Sequence, residues 1–116
     1  MRLIKIDPQN QTVEAVESTG TLKDMYRIID CQFIDVTARQ SNGDSLTVDD
    51  DALSLDPQPA AFSFNGSGPI HGVALLTGTD DEGACAEPTM SVEQAVGCLT
   101  WLGDVYTKPS LTVFFF

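Results

Sequence analysis

The sequence predicts an α+β domain, mostly antiparallel sheet with two short helices and one layer of each. Three observations carry this reading. Short runs of apolar and β-branched residues recur along the chain, as strands require. Turn-forming clusters separate them: Asp7-Pro8-Gln9-Asn10, Ser41-Asn42-Gly43-Asp44, Asn65-Gly66-Ser67-Gly68-Pro69 and Asp80-Asp81-Glu82-Gly83. Two segments alone combine a capping signature with apolar residues at helical spacing. The 116 residues suit a single domain over 1–116, because two halves with separate cores would each be marginal.

Leu3, Ile4 and Ile6 lead through the Asp7–Asn10 turn into Thr12–Val16, which predicts an N-terminal hairpin. Thr21-Leu22-Lys23-Asp24 approximates a capping box and opens a helix over about 21–30. Leu22, Met25, Tyr26 and Ile29 fall on one face of it, and Asp24 in the first turn suits the helix dipole. Cys31–Ala38 is β-branched and aromatic and reads as a strand, returned by Ser45–Val48 after the Asn42-Gly43 hairpin signal. Asp49 to Pro59 reads as a loop or short helical turn, and Ala60–Phe64 as a strand broken by the Asn65–Pro69 cluster. Ile70–Thr77 restarts an apolar strand. Ser91-Val92-Glu93-Gln94 is a capping box for a second helix over about 91–102, with Val92, Ala95, Val96, Leu99 and Leu102 as its apolar stripe. Leu111–Phe116 reads as a terminal strand whose three aromatics, Phe114, Phe115 and Phe116, complete the sheet or cover a second subunit.

The chain carries a formal net charge of -11, unevenly placed. Residues 1–39 hold six acids and five bases, whereas residues 40–116 hold eleven acids and one base, Lys108. Two acidic knots stand out, Asp49-Asp50-Asp51 and Asp80-Asp81-Glu82, with Asp44 and others around them. Such a field repels nucleic acid and anionic membranes and attracts basic surfaces. Aspartate also collects in turns for local hydrogen-bonding reasons, so the same knots fit solvated turns. No run is long enough to cross a bilayer and no basic region leads into an apolar one, which predicts a cytoplasmic protein. Cys31, Cys85 and Cys98 are an odd number without a close pair and fit reduced, mostly buried thiols.

Catalytic chemistry has little to stand on. His71 is the chain's one histidine, and no local pattern joins it to a nucleophile. Neither acidic knot has the spacing of a calcium loop, and His71 with Cys85 and Cys98 does not make a compact zinc motif. Asn65-Gly66-Ser67-Gly68 is glycine-rich but lacks the lysine of a phosphate loop. Its amides and His71 remain candidates for holding a small ligand. The sequence thus predicts no catalytic residue, no metal and no cofactor.

Several motifs occur in order: Asp7-Pro8, Leu22-Lys23-Asp24-Met25, Phe33-Ile34-Asp35-Val36 and Phe64-Asn65. Ile70-His71-Gly72-Val73-Ala74, Gly78-Thr79-Asp80-Asp81-Glu82-Gly83 and Met90-Ser91-Val92-Glu93 follow. Over roughly residues 1–100 this order resembles a family of small domains of unknown function carried by bacteriophages and plasmids. After the first helix that family has a glycine pair where Ile29-Asp30-Cys31 stands here, and residues 108–116 lie outside the resemblance. The resemblance implies no reaction. It implies a mobile-element origin and a bacterial host, where small non-enzymatic proteins commonly act by binding. The expectation is a partner-binding protein. Asp44, Asp49, Asp50, Asp51, Asp80, Asp81 and Glu82 would dock on a basic host protein and inhibit a defence or nucleic-acid-handling complex. The alternative is a small-ligand binder using Asn65, Gly66, Gly68 and His71, with Phe114–Phe116 as an oligomer contact.

Overall fold

The computed structural model describes residues 1–108 and is built on two antiparallel sheets. In chain order the elements are β1 (Arg2–Asp7), β2 (Thr12–Glu17), α1 (Leu22–Ile29), β3 (Ile34–Thr37) and β4 (Ser45–Asp49). A 3-10 turn at Ala52–Ser54 precedes β5 (Ala61–Phe64), β6 (Ser67–His71), β7 (Ala74–Thr79) and β8 (Cys85–Ala86). The last two are α2 (Val92–Gly97) and β9 (Leu99–Gly103). The larger sheet has the order β2-β1-β7-β4-β3, with β8 paired to the end of β7, and the smaller has the order β6-β5-β9.

The predicted mostly antiparallel α+β architecture is present, but as three layers. Leu75 and Leu76 are adjacent in β7 and both wholly buried, on opposite faces of the larger sheet. One face, with Ile4, Ile6, Leu46, Ala74 and Leu76, packs on Phe62, Phe64 and Ile70 of the smaller sheet and on Ala95 of α2. The other, with Leu3 and Leu75, packs on Met25 and Ile29 of α1. A sheet apolar on both faces needs a cover on each, which is why one layer of sheet does not suffice. Each fully buried Leu, Ile or Phe contributes about 1.5 to 3 kcal/mol relative to exposure.

The first helix forms as its sequence predicts. The Thr21 hydroxyl accepts the Asp24 N–H at 3.3 Å, and Arg27 pairs with Asp24 at 2.7 Å. It ends at Asp30, left-handed at φ 61°, where the amides of Asp30 and Cys31 both reach the Tyr26 carbonyl. Aspartate is one of the few side chains that tolerate that conformation in place of glycine.

The second helix is shorter than the predicted 91–102. Ser91 and Gln94 close the capping box, but the helix stops at Gly97 and Leu99–Gly103 is a strand. Helical spacing and strand pairing compete over Leu99 to Leu102, and pairing prevails. Phe64 lies opposite Leu99 and Phe62 opposite Trp101, whose ring meets that of Phe62 edge-on at 6.3 Å. The strand expected over 70–77 is likewise divided. Ile70 and His71 finish β6 in the smaller sheet, Gly72 turns at φ 84°, and Ala74 begins β7 in the larger one. Among the described residues no helix is long and apolar enough to cross a membrane.

Candidate functional site

β7 lies antiparallel to both β1 and β4, so Ala74 at its start faces Ile6 on one side and Val48 on the other. The C-terminal ends of β1 and β4 therefore flank the same point, with Asp7 and Asp49 next beyond. The end of α1 and the start of β3 arrive there too. The hydrogen bond from the Asp50 amide to the Phe33 carbonyl, 3.0 Å, extends the β3–β4 ladder by one residue. Two hollows share Asp49 and Ala52 at this end. One of about 380 Å³ is lined by Lys5, Asp7, Asp30, Asp49, Leu55 and Val73 among others. The other, of about 260 Å³, is lined by Asp35, Asp49, Asp50, Leu53, Ile70 and His71 among others.

The carboxylates here come from three separate stretches of chain. Asp7, Asp30 and Asp35 belong to the nearly neutral first 39 residues, and the fold carries them to the Asp49–Asp51 knot. The Cys31 thiol senses this field: burial pushes its pKa up, and the charges of Asp49, Asp30 and Asp51 push it further. Asp49 also orders its own turn, its Oδ1 accepting the Asp51 N–H at 2.9 Å. Exposed apolar side chains sit among the acids, Phe33 at 58% and Leu55 at 48% exposure. No three His, Cys, Asp or Glu side chains among the described residues are placed to hold one metal ion.

The second knot lies at the opposite end of the larger sheet. Asp80, Asp81 and Glu82 form the β7–β8 turn, in which Asp80 Oδ1 accepts the amides of Glu82 and Ala84, each at 2.9 Å. The six residues of β7 separate the two knots by about 20 Å, which places them at opposite ends of the larger sheet. Burial, with the Asp80 charge, raises the Cys85 thiol. All three cysteines are free and half-buried.

Asp44 does not belong to an exposed acidic surface. It is 1% exposed, and its carboxylate accepts the Thr89 amide, the Thr89 hydroxyl and the Met90 amide at 2.9, 2.7 and 3.1 Å. Its role is to clamp the approach to α2 against the β3–β4 turn. Burial of a single aspartate leaves no local signature, so nothing in the sequence separates Asp44 from its acidic neighbours.

The glycine-rich segment is a hairpin. Asn65 at φ 48° and Gly66 at φ 81° are the two central residues of the tight turn joining β5 to β6. The Asn65 amide donates to the Cys98 carbonyl at 2.9 Å, and its side chain to Gln40 at 2.7 Å. Gly68, at φ 142°, lies in β6, where an added Cβ would come within 3.0 Å of the Phe62 carbonyl oxygen. His71 is 3% exposed with both ring nitrogens engaged, Nδ1 to the Pro59 carbonyl at 2.8 Å and Nε2 to the Thr107 hydroxyl at 2.7 Å. A carbonyl only accepts, so Nδ1 carries a hydrogen. The candidate oligomer contact Phe114–Phe116 and the predicted terminal strand lie outside the described residues.

The geometry defines a small three-layer α+β fold with a carboxylate-rich sheet end. The chain belongs to the family described as Domain of unknown function (DUF3846), whose model matches residues 1–99. No curated protein and no solved structure matches it.

Proposed function

We propose that this domain is a non-enzymatic binding module that docks a basic protein surface on the sheet end carrying Asp30, Asp35, Asp49, Asp50 and Asp51. The observation that supports this is the convergence of acids from separate chain segments around exposed Phe33 and Leu55. Asp7 and Asp49 also order their own turns, and the antiparallel strands bring those turns to one sheet end, where the charges sum to one field. Exposed apolar side chains near a strong charge suit a protein partner, with the charges steering the encounter. The same charges disfavour direct contact with nucleic acid. The resemblance to phage- and plasmid-borne domains extends the proposal to a mobile-element accessory protein in a bacterial cytoplasm. There it would occupy the basic surface of a host defence or nucleic-acid-handling complex.

The test is capture of host proteins at low and high salt by the native chain and two charge-neutralised variants. A specific basic partner should be lost at high salt and in the Asp49→Asn/Asp50→Asn/Asp51→Asn variant. It should be retained by the Asp80→Asn/Asp81→Asn/Glu82→Gln variant. Equal capture by both variants at every salt concentration would refute the assignment.

A small-ligand site is the second reading, and its favourable observation is the 380 Å³ hollow, within the size range of ligand pockets. Lys5 lines it together with Asp7, Asp30 and Asp49 and with apolar Ile28, Leu55 and Val73. Thermal shifts against cationic metabolites test it, and an Asp7→Asn variant should weaken any stabilisation found.

A further inference from the structure

Resting on the acidic-docking reading, we propose that the partner binds as an extended basic strand added to the free edge of β3. The larger sheet ends at β3, which among the described residues pairs only with β4. In that ladder Asp35 faces Val48, and the Phe33 carbonyl receives the Asp50 amide. Phe33 and Asp35 thus point their backbone groups inward, and Ile34 and Val36, which alternate with them, point theirs outward. No hydrogen bond to the backbone of Ile34 or Val36 on that side occurs among the described residues. The edge is guarded by its short length and by the Asp35 charge, and a basic incoming strand meets that charge favourably. Ile34–Thr37 contains no proline or lysine, and its register against β4 is unbroken.

The two faces of this edge specify the occupant. Asp35 and Thr37 share a face with the 260 Å³ hollow that Asp49 and Asp50 also line, and none of its described lining residues is Lys or Arg. Ile34 and Val36 occupy the other face, Val36 at 39% exposure. A strand alternating lysine or arginine with β-branched residues matches both faces at once. Charge complementarity selects this occupant over a second copy, which would bring its own Asp35 and the same acidic knot against these.

The probe is a short peptide alternating lysine and valine, titrated by fluorescence anisotropy against the full chain. Two comparison peptides are the same sequence with alternate valine nitrogens methylated, and oligolysine. The alternating peptide should bind at low salt, and methylation should weaken it about tenfold, the loss of one or two backbone hydrogen bonds. Amide exchange at Ile34 and Val36 should slow in the complex. Val36→Pro removes one outward donor without touching the β4 ladder and should weaken binding similarly, with folding checked by thermal melting. Equal affinity for methylated and unmethylated peptides, with salt dependence intact, overturns strand addition and leaves acidic docking standing. Failure of all three peptides to bind at low salt overturns both.

Discussion

Asp44 receives both the amide and the hydroxyl of Thr89, 45 residues away, at 2.9 and 2.7 Å. This carboxylate joins the β3–β4 turn to the segment entering α2. Gly78 makes room for that segment, since a Cβ there would overlap the Glu87 carbonyl oxygen. Asp44→Ala should cost about 3 kcal/mol, because it removes three hydrogen bonds to one buried carboxylate. Urea unfolding checks this, and a loss below about 1 kcal/mol would mean the clamp is dispensable.

His71 ties β6 to the chain on either side. It bonds Pro59 and Thr107, while Gln58 Nε2 reaches the Leu53 and Thr107 carbonyls at 3.0 and 2.7 Å. His71→Ala should destabilise by about 2 kcal/mol through lost hydrogen bonds and a small cavity. Amide exchange at Thr107, whose N–H donates to Gln58 Oε1, should accelerate in the variant.

Acid should loosen the start of α1. The Ser18 hydroxyl and the Arg27 guanidinium beside Asp24 hold its carboxyl below the ordinary value of 3.8. A depressed folded pKa means that its contribution is complete above 3.8 and fades as pH falls through the lower folded value. Thermal melts from pH 6 to pH 2 should show this acid limb, shallower in Asp24→Asn. Identical limbs would assign acid sensitivity elsewhere.

Cys31 reports on the acidic end. Asp49→Asn removes the largest charge contribution raising its thiol, so thiolate at pH 8 increases and alkylation by iodoacetamide speeds up. Cys85, raised by burial and Asp80, should react at an unchanged rate. Peptide mapping of the alkylated protein separates the two.

Local chemistry made much of the fold legible. The capping residues Thr21, Ser91 and Gln94 and the Asn42-Gly43 turn act within a few positions of themselves, so sequence spacing exposes them. The split at Gly72 and the strand at Leu99–Gly103 were not legible, because both depend on the smaller sheet seeking partners far away in the chain. The candidate site divides in the same way. The Asp49–Asp51 knot is visible as a run, whereas Asp7, Asp30 and Asp35 join it only through the antiparallel placement of β1 and β4 beside β7. Phe33 gave no signal either, since a phenylalanine in a β-branched stretch reads as core.

The pairing of β9 with β5 bears on where this domain stops. The family match closes at residue 99, the first residue of β9, yet Trp101 two positions later lies against Phe62. A protein trimmed to the matched segment would turn a wholly buried phenylalanine into part of a sticky surface beside an unzipped strand. The working unit therefore extends at least through Gly103, and shorter versions should be recovered as aggregates rather than as weakened monomers.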